Sequence, residues 1–390
     1  MLKFASPMIA YLDNAASTQP LPEVIESVAQ TMRDSFANSS SLHGLGAAAA
    51  RALAHAREEV AALIHAETEE IVFTGSGTEA NALGFLGAAR AARGRHVVVS
   101  SIEHAAIHES ARKLAADGWQ VAEVAPGKDG CVTVESVLAA VGPDTSVVAI
   151  MLANNEIGTL QPVADIARGL RALGRKIHFH VDAVQFAGLV PIDVRTKGAD
   201  SLAISAHKLH GPKGVGALWL RRGKNLAALY GGGGQERDLR SGTENLPACV
   251  GFAVAATAAR RERGGAALRV AELRDSLESL IFASLPELRP AVPSTAARAP
   301  HISSILLPGL PAEPVLHALE ARSVFASEGA ACSSHAREPS RVLRALGVPA
   351  STGALRFSLS RLTTADEVAQ AASALAASVA EIARAVRGGR

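Results

Sequence analysis

Only three cysteines, Cys131, Cys249 and Cys332, occur in 390 residues, an odd number with no Cys-x-x-Cys pair. That supply excludes a disulfide framework and a cysteine-based zinc site, and it suits a reducing cytoplasm. Charge of one sign is missing as well. Thirty-nine basic residues oppose 37 acidic ones, a net of +2, so nothing electrostatic favours direct nucleic-acid binding or a membrane surface. A small-molecule or protein partner is the better expectation. Long apolar runs are also absent: the segment Met1 to Ala10 is followed by Asp13 before a signal-length stretch can form, so export is not expected. The most apolar later run, Ala248 to Ala259, is too short to span a bilayer and reads as a buried helix. No internal repeat is found. What remains is a chain 48% hydrophobic and 19% charged, long enough for two cores.

From Ile71 to Leu220 short β-rich runs alternate with helical patterns. The strands read as Ile71 to Phe73, Val97 to Val99, Val147 to Leu152, Ile177 to Val181, Ser201 to Ile204 and Gly216 to Leu220. Helix-like segments such as Ala105 to Ala116, Val134 to Val141 and Val163 to Leu173 lie between them. This rhythm predicts an α/β fold, a mainly parallel sheet with helices on both faces and a ligand at the carboxyl ends of its strands. After Gly231-Gly232-Gly233-Gly234 an alanine-rich helical zone leads to a second rhythm: a strand over His301 to Leu307, a helix over Glu313 to Ala321 and a strand over Leu355 to Ser360. A tail from Asp366 to Arg387, with Val368, Leu375, Val379, Ile382 and Val386 at helical spacing, should close a smaller C-terminal domain.

The candidate chemistry gathers at the strand ends. Lys208 follows the apolar pair Ala203-Ile204, and Asp182 closes the strand before it. Such a lysine holds the aldehyde of pyridoxal 5'-phosphate as a Schiff base, while such a carboxylate keeps the pyridine nitrogen protonated. Gly75-Ser76-Gly77-Thr78 links a strand to a helix, and its glycines, unpaired amides and Thr78 hydroxyl can cradle a phosphate, with Ser205 and His207 as further donors. A plain strand-to-helix turn would have the same sequence. His104, after another strand, can stack on a flat ring and pass protons, or simply cap a helix. Asn155 sits at the same sheet edge. Arg356, on a later strand, offers the two parallel donors that hold a carboxylate. Cys332, in the small-residue run Ala326 to Ser334, suits an exposed nucleophile. The pairs His178 with His180 and His104 with His108 have no further ligands nearby, so no metal is expected.

Three segments are specific when taken together: Ala153-Asn154-Asn155-Glu156-Ile157-Gly158-Thr159, His207-Lys208-Leu209-His210-Gly211-Pro212-Lys213-Gly214 and Arg240-Ser241-Gly242-Thr243-Glu244-Asn245. On these, and from Tyr11-Leu12-Asp13-Asn14-Ala15-Ala16 to Arg361-Leu362-Thr363-Thr364, the chain resembles the cysteine desulfurases, fold type I pyridoxal phosphate enzymes of the class V aminotransferase group. The resemblance implies a seven-stranded, mainly parallel sheet in a large domain, residues 15–260. A smaller α+β domain, from 1–14 and 261–390, would carry the catalytic cysteine loop at about 326–338. It also implies catalytic roles for Lys208, Cys332 and His104, with His104 stacked on the cofactor and Asp182 on its nitrogen. Gln185 would meet the phenolic oxygen, and Gly77, Thr78, Ser205 and His207 the phosphate, with Thr243 reaching across a homodimer. Asn155 and Arg356 would grip the carboxylate of L-cysteine. Cys332 would take the sulfur as a persulfide and pass it to an acceptor protein such as an iron–sulfur scaffold or a tRNA-thiolation relay.

The chain departs from the family pattern at Ser17, Ser39, Asp238 and Ser360, none of which removes a named role. Glu328-Gly329-Ala330-Ala331-Cys332 stands where Ser-Gly-Ser-Ala-Cys is usual. Gly-Ala-Ala-Cys is similar to the selenocysteine lyases, whereas the step from Cys332 to Pro339 and Ser340 matches desulfurases with the long loop. A selenocysteine lyase is the nearer rival expectation, and a non-catalytic regulatory or scaffold protein that kept the fold is the rival of another class.

Overall fold

The computed structural model describes residues 9–329 and 340–388. Seven strands form the main sheet: β1 (Ile71–Thr74), β2 (His96–Ser100), β3 (Gln120–Val124), β4 (Thr145–Ala149), β5 (His178–Asp182), β6 (Ser201–Ser205) and β7 (Gly216–Leu220). Their spatial order is β1-β7-β6-β5-β4-β2-β3. β7 alone runs antiparallel to its neighbours, so six strands share a direction and deliver their carboxyl ends to one edge.

Alternation within single strands explains why helices cover both faces. Val97 and Val99 pack with Phe85, Ile107 and Leu114, from helices α1 (Gly77–Ala91) and α2 (Ala105–Ala116). Val98 and Val148 turn to the opposite core, against Ile166 and Leu170 of α3 (Val163–Ala172). Both sets are fully or almost fully buried. β2 and β4 are therefore apolar on both sides, as strands of a covered parallel sheet require.

Several extents differ from the sequence expectation, among them the strand read over Leu355 to Ser360, which spans Gly353–Ser358. The run read as Val147 to Leu152 leaves the ladder at Ala149, and the amides of Ile150 and Leu152 continue to bond the carbonyls of His180 and Asp182 at 3.2 and 2.7 Å. β3 has no signal of its own, because Gln120 to Val124 is an edge strand whose residues are mostly half-buried or exposed. The segment read as a buried helix over Ala248 to Ala259 is the first part of α4 (Leu246–Ser284), capped by the Asn245 side chain.

α4 takes part in two cores. Ala248 to Ala259 pack under the main sheet. Val270, Leu277 and Ile281 join Val315 and Leu319 of α5 (Ala312–Glu320) and Val368, Leu375 and Val379 of α6 (Ala365–Gly388). That second core backs a three-stranded antiparallel sheet of β8 (Arg289–Pro290), β9 (Ile302–Leu307) and β10 (Gly353–Ser358), with β9 central. Ala10 and Leu12 lie in it too, because Ala10–Tyr11 pairs in parallel with Val324–Phe325. Among the described residues no helix is long and apolar enough to cross a membrane.

Candidate active site

The shared strand edge closes around a cavity of about 150 Å³. β1 supplies the turn Ser76-Gly77-Thr78, β2 leads to His104, and the segment after β4 brings Met151, Ala153 and Asn155. β5 ends on Asp182, followed by Val184 and Gln185, and β6 ends on Ser205, followed by His207 and Lys208. Nine of the sequence-selected residues thus share one cavity. Arg356 stands one layer behind, where its Nη1 donates to the Asn155 carbonyl at 2.8 Å and its Nη2 to Asp13 Oδ1 at 2.7 Å. Thr243 is exposed and does not line this cavity. Cys332 lies outside the described residues.

The Lys208 amine donates to the backbone carbonyls of Ala15 and Ala16, the latter at 2.9 Å. Gln185 Nε2 also donates to Ala15, at 2.9 Å. The N-terminal motif read from sequence therefore forms a wall of the cavity beside the lysine. Asp182 accepts from the Val184 amide through Oδ1 at 3.0 Å and from Asn81 Nδ2 through Oδ2 at 2.7 Å. His104 caps α2, its Nδ1 accepting from the Ala106 amide at 3.1 Å. That capping fixes the ring at the cavity edge, so the structural and the chemical reading of His104 are compatible.

The turn at the head of α1 is held by its own hydrogen bonds. Ser76 caps α1 by accepting from the Glu79 amide, leaving the following amides at the helix terminus as anion donors. Glu79 braces the turn: Oε2 accepts from the Gly75 amide at 2.6 Å, and Oε1 from Tyr230 and Arg240 at 2.8 and 2.9 Å. A Cβ on Gly77 would come within 2.9 Å of Val184 and 3.1 Å of Ser205 Cβ, so the glycine lets α1 approach the end of β6. There Ser205 Oγ is buried with no hydrogen-bond partner. An orphaned hydroxyl facing a helix N-terminus fits an anionic group that accepts from both. His207 Nδ1 lies 3.3 Å from Ser17 Oγ. Burial, with Lys208 and Lys213 adding to it, pushes the His207 pKa down to about 4.

Three residues that the sequence reading did not select belong to the site. Asn81 holds Asp182. Glu103 is buried, accepts from Ser100 Oγ and from the Met151 amide, and is pushed to about 8, chiefly by burial, with the charge of Asp182 adding to the shift. Glu156 accepts from Ser340 Oγ, and a Cβ on Gly329 would lie 3.0 Å from its Oε2. One buried carboxyl therefore meets both residues flanking the stretch that contains Cys332. Glu328 is exposed, and partial burial together with Glu313 raises its pKa. Adjacency to His104 and Asn155 was the only sequence signal for Glu103 and Glu156, and Asn81 had none beyond its place on α1.

Comparison with known proteins agrees with this architecture. The aminotransferase class-V family profile matches residues 10–370. A cysteine desulfurase of Cereibacter sphaeroides is 43% identical over 363 residues, 92% of each chain. The cysteine desulfurase NifS of Azotobacter vinelandii is 39% identical over 362 residues, 92% of this chain and 89% of that one. A solved NifS-like protein superposes with a TM-score of 0.89 at 33% identity, covering 96% of this chain and all of the other.

Proposed function

The chain belongs to the aminotransferase class-V family, and on that premise we infer that it is a pyridoxal phosphate-dependent cysteine desulfurase, converting L-cysteine to L-alanine. The observation that carries this reading is the convergence of Lys208, Asp182 and the unpartnered Ser205 hydroxyl on one cavity. Bound there, the cofactor would supply an electron sink for the substrate α-carbon. Ser205, Thr78, His207 and the first amides of α1 would hold its phosphate, Asp182 its ring nitrogen, Gln185 its phenolic oxygen and His104 its ring face. Lys208 would carry its aldehyde and, once freed, move the proton of the substrate α-carbon. Asn155 and Arg356 would orient the substrate carboxylate. The Cys332 thiolate would then attack the substrate sulfur: an S–S bond forms as the C–S bond breaks, alanine leaves, and the persulfide goes to an acceptor protein.

The division into 15–260 and 1–14 with 261–390 is supported by the change of core along α4 between Ala259 and Val270. A homodimer is supported by Thr243, exposed on the segment expected to reach a second subunit, and by the exposed Met32, Phe36 and Leu42. A reducing compartment such as the cytoplasm suits the free Cys131 and Cys249. The acceptor is proposed as an iron–sulfur scaffold or a tRNA-thiolation relay. The deciding assay measures alanine and sulfide from cysteine beside alanine and selenide from selenocysteine. Turnover of cysteine supports the desulfurase, and turnover of selenocysteine alone would make the chain a selenocysteine lyase.

A further inference from the structure

Asp182 is the inner end of an unbroken line of hydrogen bonds that crosses two strands and one helix. His178 Nε2 lies 2.8 Å from Ser201 Oγ, and Ser201 Oγ lies 2.8 Å from His180 Nδ1. His180 Nε2 lies 2.9 Å from Asn81 Oδ1, and Asn81 Nδ2 donates to Asp182 Oδ2 at 2.7 Å. Register builds the first half, since His180 of β5 pairs directly with Ser201 of β6. Helix packing builds the second. Gly84, one turn along α1 from Asn81, is pressed against the imidazole, so that a Cβ there would sit 2.4 Å from both Cε1 and Nδ1 of His180. The absent side chain is what lets α1 bring Asn81 between the histidine and the aspartate.

The donor and acceptor inventory leaves two arrangements of the protons. A carboxylate only accepts, so an ionised Asp182 requires the Asn81 NH2 toward it and Asn81 Oδ1 toward His180. His180 must then carry its proton on Nε2 and accept at Nδ1, Ser201 must donate to that nitrogen, and Ser201 must accept from His178 Nε2–H. In the reverse arrangement every bond flips, His180 carries its proton on Nδ1, and Asp182 must be neutral to donate to Asn81. A proton on Nδ1 of His180 would therefore require a protonated Asp182, whereas a proton on Nε2 goes with the Asn81 NH2 directed at the carboxyl. Burial favours the neutral form of both histidines, taking His180 down to about 3 and His178 down to about 4.

We propose that His178, Ser201, His180 and Asn81 form a one-directional donor chain that holds the Asn81 amide on Asp182 as a donor, making His180 and Asn81 positioning residues for the carboxyl that meets the cofactor's ring nitrogen. This rests on the functional reading only for the identity of the ring. The direction of the chain follows from the protein alone. Like other outer-shell partners, these residues would act through the group they hold and not by touching substrate.

The test is NMR of protein carrying 15N-histidine, with His180 assigned through the His180→Gln variant, first without cofactor and then with 15N-labelled pyridoxal phosphate. Wild-type His180 should be neutral with its proton on Nε2 in both states. Asn81→Leu should bind cofactor yet move the ring-nitrogen shift toward the unprotonated value, with roughly a tenfold or greater slowing of substrate α-proton exchange. Gly84→Ala, which displaces the imidazole, should move the same shift in the same direction. His180→Gln, whose amide can still donate to Asn81, should lie nearer wild type than His180→Leu. A proton on Nδ1 of His180, or a wild-type ring-nitrogen shift in cofactor-loaded Asn81→Leu, would overturn the chain. Failure of the desulfurase reading would instead leave the tautomer as stated, with no alanine formed from cysteine by the wild type.

Discussion

Arg356 and Asp13 form an ion pair at 2.7 Å in which the guanidinium is 1% exposed. The arginine comes from the central part of β10 and the aspartate from the N-terminal segment, so the pair ties the start of the chain to the small sheet. Its second terminal nitrogen serves the Asn155 carbonyl, and Nε has no partner. A guanidinium can hold these partners and still present a planar donor edge, whereas an ammonium cannot.

Replacing Arg356 by lysine should therefore raise KM for cysteine without changing cofactor content. The expected loss is about 1.5–3 kcal/mol, the range for hydrogen bonds to charged groups. Steady-state kinetics with cofactor absorbance checks both halves. An unchanged KM would place the substrate carboxylate elsewhere.

Ser205→Ala should separate cofactor binding from folding. The hydroxyl is buried and unpartnered in the protein itself, so removing it should leave the Tm of the cofactor-free protein unchanged or higher. Affinity for pyridoxal phosphate should fall by about 1.5–3 kcal/mol if the hydroxyl serves the phosphate. A drop in Tm with unaltered affinity would refute that assignment.

Glu103 sets a pH dependence of stability. Its carboxyl is raised from 4.5 to about 8, chiefly by burial, so the folded state keeps a proton that the unfolded chain has lost across that window. Stability from this group is complete below 4.5 and is lost as pH rises toward 8, by at most about 1.4 kcal/mol per pH unit. Glu103→Gln should lack the slope. Urea unfolding of wild type and variant at several pH values should give a difference that grows in the variant's favour toward pH 8, and parallel curves would contradict the burial argument.

The sheet and the strand-end residues were legible because their signals are local. Val97 to Val99 and Val147 to Val148 are apolar at every position, and at the ends of two later strands Asp182 follows Val181 while Ser205 and Lys208 follow Ile204. Edge strand β3 was not legible, since one solvated side leaves no apolar run. The short pairing of Ala10–Tyr11 with Val324–Phe325 joins residues more than 300 positions apart and has no local pattern. Burial of Glu103 and Glu156 is equally silent in sequence, where both read as ordinary polar residues beside a motif. The tie between Asn81 and Asp182 depends on how α1 lies across β5, which only tertiary packing at Gly84 decides.

Lys208 and Cys332 should fail differently. Cys332→Ala should still change the cofactor absorbance on adding cysteine while releasing no alanine, because it retains the group that moves the α-proton. Lys208→Ala should lose the covalent attachment of the cofactor, and borohydride reduction of wild type should label Lys208 and not Lys197 or Lys213. Label on either of the other lysines would remove the assignment.

The most direct measurement is a single turnover of the cofactor-loaded protein with one equivalent of cysteine and no acceptor, followed by peptide mass spectrometry and alanine analysis. The Cys332 peptide should gain one sulfur for each alanine formed, and Cys131 and Cys249 should gain none. Alanine without added sulfur on Cys332, or no alanine at all, would contradict the account.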